Sequence, residues 1–147
     1  MTTRKQYKSW APTQSFLLPP SPLDWLPEGH LAYFIIDVVG ELDLGAIEAK
    51  LQEKDPRGCR PYVPQKMVAL LLYGYCVGEF SSRRLERATY EDVAFRVLAG
   101  GEHPHFTTIN GFRKDQLGVL RALFLQVLQF CQRAGLVKLG QGARDGT

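Results

Sequence analysis

Pro64-Gln65-Lys66-Met67-Val68-Ala69-Leu70-Leu71-Leu72-Tyr73-Gly74-Tyr75-Cys76-Val77-Gly78 is the stretch that decides the fold of this 147-residue chain. Proline suits a first helical position, where its missing N–H has no partner to lose. From Met67 to Tyr73 every residue is apolar, so the helix keeps no side for water and is expected to be buried on most sides, as the central helix of a core. Gly78 is placed to end it. The run falls far short of the roughly 18 consecutive apolar residues that a membrane span needs.

Upstream, Leu31, Phe34, Ile35, Val38, Val39 and Leu42 recur three and four apart, with Asp37 and Glu41 between them. That spacing predicts a helix over His30–Leu42 with its acids on the wet side. A short helix from about Leu44 to Leu51 follows. Lys54 to Pro61 holds two prolines and a glycine and reads as the main internal loop. Residues 1–27 carry Pro12, Pro19, Pro20, Pro22 and Pro27 and read as an extended arm, because proline removes a donor and clashes with a helical turn. Phe16, Leu17, Leu18, Leu23, Trp25 and Leu26 make that arm a strap expected to lie on the core. Pro19-Pro20-Ser21-Pro22 also fits, formally, a P-x-x-P ligand.

Downstream, Ser81 or Ser82 offers a cap for a helix over Ser82–Ala88, its hydroxyl accepting from an unpaired backbone N–H. A short helix from about Glu91 to Leu98 runs into Gly100-Gly101-Glu102-His103-Pro104, a turn. Thr107 or Thr108 is read as the cap of a helix over Ile109–Lys114. Asp115 starts or continues a long final helix to Ala134, where Leu117, Leu120, Phe124, Val127, Leu128 and Cys131 form an apolar stripe and Gly135 closes it. No stretch before residue 136 alternates with a period of two. The expectation is an all-α, compact multi-helix domain: an arm over 1–27, helices over 28–135, and a short irregular tail over 136–147.

The bulk numbers suit one domain: 45% apolar and 22% charged residues fit a globular chain rather than a disordered one. No apolar stretch follows the charged N-terminus, so no signal peptide is expected and the location reads as cytoplasmic. Cys59, Cys76 and Cys131 form no C-x-x-C pair and read as reduced thiols, the last two as small core hydrophobes. The net charge of +3 is unevenly spread. Residues 28–55 hold seven acids against two bases, whereas residues 56–121 hold ten bases against six acids. The basic middle is the expected face for an anionic partner.

His103 and His105 flank Pro104 and His30 is distant, with no acid or cysteine at a metal-ligand spacing, so no metal is expected in this chain. Neither a G-x-S-x-G elbow nor a P-loop or G-x-G-x-x-G run is present, so no intact active site is legible.

Arg83, Arg84 and Arg87 carry the strongest signal, since residues three and four apart share a helix face. Three planar guanidinium forks suit phosphate oxygens and repel one another until an anion relieves them. Glu86 and Glu91 are near enough in sequence to neutralise them instead, which would leave a solvated face of ion pairs. Thr107, Thr108, Asn110, Arg113 and Lys114 add hydroxyl, amide and cationic groups at a short helix after a turn. Threonine takes phosphate while Asn and Arg read base edges, as on a recognition helix. The short helices over 81–114 thus read as a helix-turn-helix variant.

Five ordered runs then resemble one family. They are Pro19 to Ala32 (Pro-Pro-Ser-Pro-Leu-Asp-Trp-Leu-Pro-Glu-Gly-His-Leu-Ala), Leu70 to Tyr75, Ser81 to Ala88, Glu91 to Arg96 and Thr107 to Arg113. Together they resemble the helical N-terminal domain of bacterial insertion-sequence transposases of the DDE type. The resemblance implies binding of double-stranded DNA at terminal inverted repeats, followed by a ribonuclease-H-like domain whose three carboxylates hold two Mg ions. In that family the first aspartate stands in an Asp-Gly-Thr run, so the resemblance makes Asp145 the first of those ligands, catalytic only in a full-length context. The sequence stops at Thr147, and 140–144 lack the apolar residues that would seat Asp145 on a central strand.

The function expected is therefore DNA binding by the N-terminal part of a transposase, truncated near its first catalytic aspartate, with no chemistry and no cofactor of its own and a cytoplasmic, nucleoid-associated location. The rival is a protein–protein module in which the helix from Asp115 to Ala134 pairs with its twin in a homodimer. A third reading, a nuclease in its own right, requires metal-dependent strand cleavage.

Overall fold

The computed structural model describes residues 4–15, 17, 21–53 and 61–133. Among them are seven α-helices and no strand: α1 (Leu31–Glu41), α2 (Gly45–Gln52), α3 (Pro64–Val77), α4 (Ser82–Glu91), α5 (Val93–Leu98), α6 (Phe106–Asp115) and α7 (Leu117–Arg133). The all-α expectation is borne out.

Helix α3 is the axis of the core, with Met67 through Gly74 buried without interruption. Its apolar circumference takes α1 on one side and α5 on another, and α1 also touches α5. Helix α1 contributes Ala32, Ile35, Val38 and Val39. From α5 come Ala94, Phe95 and Leu98, and the Phe95 ring meets the Tyr73 ring edge-on at 4.9 Å. Helix α4 packs on α5 and on α6, and α6 on α7.

Two glycines set how α3 hands over to α4. Gly78 ends α3 with φ +81°, a left-handed conformation that glycine adopts without a Cβ penalty. The chain then doubles back so tightly that the Glu79 amide donates to the Gly74 carbonyl at 2.7 Å. A Cβ on Gly74 would sit 2.7 Å from the Glu79 carbonyl oxygen and 2.9 Å from Leu85. Glycine at 74 is what lets the Glu79 carbonyl and the Leu85 side chain approach the end of α3.

Several local expectations change. The cap of α6 is His105 rather than Thr107 or Thr108: its Nδ1 accepts the Thr107 amide at 3.3 Å, and the helix begins at Phe106, with both threonines in its first turn. His30 caps α1 in the same way, accepting from the Ala32 amide at 3.0 Å. Asp92, expected inside one helix, separates α4 from α5 and caps the latter by accepting from the Ala94 and Phe95 amides at 2.9 and 3.2 Å. Cys76 is exposed rather than a core residue, because burial of α3 stops at Gly74.

Helix α7 buries Leu120, Leu123 and Val127 and packs Phe124 and Cys131 against the core, so four of the six residues of the expected stripe face inward and Leu123 joins them. Leu117 and Leu128 stand outward with Leu125, at 45%, 46% and 58% exposure. Among its described residues, the arm reaches the core at its end. Leu26 packs on it and accepts from the Tyr33 hydroxyl at 3.0 Å, while Leu17 is fully in water. Phe16 and Leu18 lie outside the described residues, as do Cys59, the tail over 136–147 and Asp145.

Candidate nucleic-acid interface

Helix α4 starts at Ser81, whose hydroxyl accepts the Arg84 amide at 3.4 Å. Leu85 and Thr89 are its buried residues, which turns Arg83, Arg84 and Arg87 outward; all three are exposed. The Arg83 guanidinium lies 4.2 Å over the Phe106 ring at the start of α6, a cation–π contact that holds the head without neutralising it. Arg84 approaches Glu79 at 3.9 Å. Arg87 shares an open groove with Arg84, Glu79 and Glu91 and makes no ion pair among the described residues.

Glu86 has another task. Its carboxylate accepts the Phe106 amide at 2.7 Å and lies 3.9 Å from His105 Nε2. The acid that sequence proximity offers as a neutraliser of the arginines is turned instead to the N-terminus of α6, where a carboxylate is favoured by unpaired amides and the helix dipole. This bond joins the two helices that carry the sequence-derived candidates.

On α6, Thr107, Thr108, Asn110 and Lys114 are exposed. Thr107, Asn110 and Lys114 recur three and four apart and form one outward stripe. Thr107 and Thr108 both line a groove of about 280 Å³, together with Tyr62, Leu51 and Gln116. Arg113 is committed internally: its Nη1 donates to the Phe80 carbonyl at 2.8 Å and its Nε is buried, which braces the α3–α4 turn against α6. The structure therefore brings Arg83 to the start of α6 and sets Thr107, Asn110 and Lys114 on one stripe with Thr108 exposed beside it, but directs Arg113 elsewhere. The α6 carboxyl end is tied in turn to α2, since Lys50 Nζ donates to the Asp115 carbonyl at 2.9 Å.

Sequence reasoning missed Glu86 and Phe106 as the joint between α4 and α6. They stand 20 residues apart, and no local pattern marks such a pairing. Among the described residues no three His, Cys, Asp or Glu side chains converge as metal ligands, and no helix is long and apolar enough to cross a membrane.

A helical domain with an exposed basic face on two bonded helices is thus the class that fold and site define. Its family is specific: residues 20–115 match the description Transposase domain (DUF772). That span is well over half of the chain, which belongs to this family of transposase domains. Membership assigns it a role in transposition, a process that acts on DNA. No curated protein and no solved structure matches the chain.

Proposed function

We propose that this domain binds double-stranded DNA as the recognition part of a transposase, with Arg83, Arg84 and Arg87 on phosphates and Thr107, Asn110 and Lys114 approaching a groove. The observation that carries the reading is the bond between Glu86 and Phe106. It turns Glu86 away from the arginines, leaving Glu79 and Glu91 as the acids beside Arg84 and Arg87, and ties the α6 stripe to α4. Positive charge presented on rigid neighbouring helices is what phosphate contacts need to set register. Arg113 serves this surface as a strut behind it, through the Phe80 carbonyl. A 20-base-pair duplex titrated with the protein at low salt tests the reading. Binding is expected to weaken at least tenfold when Arg83, Arg84 and Arg87 are replaced by alanine, and equal binding by the variant rules the arginine face out.

The finer reading is that of the resemblance: end recognition for an insertion-sequence element of the DDE type. Asp145 would then be the first of three carboxylates on two Mg ions. The described residues hold no set of side chains that fits such ions, so no catalytic step is derived through them.

A second reading is favoured by one observation. Leu117, Leu125 and Leu128, all about half exposed, fall with Arg121 on one outward stripe of α7, as on a helix that pairs with its twin. A dimerisation module requires self-association that Leu125→Glu abolishes, and a monomer at high protein concentration refutes it.

A further inference from the structure

Tyr90 and His103 form a ring pair that no role above uses. Their centroids are 3.7 Å apart and their planes 7° from parallel. His103 is braced from behind. Thr89 is fully buried and sends its one hydroxyl proton to the Glu86 carbonyl at 2.6 Å. Its oxygen therefore meets His103 Nδ1, 3.1 Å away, as an acceptor, which fixes the tautomer and orientation of the imidazole. Pro104, the next residue, is fully buried as well.

Tyr90 has one face on that fixed imidazole and is nevertheless 57% exposed. Its opposite face is turned to water. A ring already held in place needs little ordering to receive a second planar group, and that pre-organisation favours binding.

Its position suggests which planar group. Tyr90 follows Arg87 by three residues and Arg83 by seven, so the three share one exposed stripe of α4, about 10 Å long. Two guanidinium groups leading to an aromatic face match a nucleic-acid strand, whose phosphates meet the cations and whose bases stack on the ring. Inside an intact duplex the base faces are covered by their neighbours, so away from the ends only an unpaired base presents one.

We infer that Tyr90, braced by His103, is a stacking site for an unpaired nucleobase at the end of the α4 arginine stripe. This rests on the DNA-binding reading and goes beyond it, because duplex recognition needs no such platform. The site takes a base with little regard to its identity, since every base offers a π-face.

The test uses the full chain and two DNA duplexes, one blunt and one carrying a single unpaired 2-aminopurine. The unpaired-base duplex is expected to bind about tenfold more tightly, the advantage that one base–ring stack supports, with quenching of the 2-aminopurine fluorescence. Tyr90→Ala is expected to abolish the advantage and the quenching while leaving blunt-duplex binding unchanged, and Tyr90→Phe is expected to keep all three. Equal binding of the two duplexes, or an advantage that survives Tyr90→Ala, overturns the stacking site and leaves duplex binding standing. Failure of both duplexes to bind at low salt overturns the DNA-binding reading, and the stacking site with it.

Discussion

The Glu86 carboxylate accepts the Phe106 amide proton at 2.7 Å across the α4–α6 contact. One side chain thus satisfies an orphan donor of α6 and keeps its own negative charge off the arginine face. The two effects separate by substitution. Glu86→Ala leaves the amide without its partner and is expected to cost about 1–3 kcal/mol in urea denaturation. Glu86→Gln keeps an acceptor oxygen and removes the charge. It is expected to retain most of the stability and to change duplex binding at low salt by less than about twofold, because the charge it removes already lies off the arginine face. Equal stability of wild type and Glu86→Ala would refute the joint.

Arg113 is expected to behave as a structural residue. Its guanidinium holds the Phe80 carbonyl at 2.8 Å, so Arg113→Ala should lower the free energy of unfolding by about 1.5–3 kcal/mol, the usual range for a hydrogen bond to a charged group. DNA affinity of the folded fraction should change less than twofold. A loss of sequence preference at full stability would return Arg113 to the role of base reader that its place in the sequence suggests.

Gly74→Ala should destabilise, although alanine is the better helix former by about 1 kcal/mol. The added methyl would meet the Glu79 carbonyl oxygen at 2.7 Å and Leu85 at 2.9 Å, and overpacking of this kind costs about 1–3 kcal/mol. Thermal melting decides the sign, and a raised melting temperature contradicts the close approach.

The pH dependence follows from weakly acidic groups in and beside the core that hold their protons. Burial raises the Tyr73 hydroxyl above its ordinary value of 10.0, and Asp92 and Cys76 add to the shift. Partial desolvation of the sulfur, on a residue that is otherwise exposed, also raises the Cys76 thiol above 9.0, with Cys131 contributing, and desolvation raises the half-buried Cys131 itself. The unfolded chain releases these protons first as pH rises. Their contribution to stability is thus whole below the ordinary values and is lost as pH climbs through the raised, folded ones. Denaturation midpoints should fall between pH 8.5 and 10.5, and Tyr73→Phe should flatten the decline. Stability that rises over this interval contradicts the assignment.

The fold was legible where one periodicity dominated. The apolar circumference of Met67–Tyr73 placed α3 at the centre, and the spacing of Ile35, Val38 and Val39 set the inward face of α1. The caps of α1 and α6 were not legible, because His30 and His105 accept through ring nitrogens where Ser, Thr, Asp or Asn is the expected cap. On α7 an apolar count alone could not separate Leu123, which is buried, from Leu117 and Leu128, which are exposed. The arginine cluster was legible because its spacing lies within one helix. The use of Glu86 was not, since it depends on the packing of α4 against α6.

Charge is the centre of the account, and the salt dependence of duplex binding measures it directly. The logarithm of the association constant should fall linearly with the logarithm of salt concentration, with a slope of about −0.9 for each phosphate contacted. Replacing Arg83, Arg84 and Arg87 by alanine should make that slope shallower by about 2 to 3 and weaken binding on every duplex. An unchanged slope in the triple variant would contradict the placing of these three arginines on the DNA backbone.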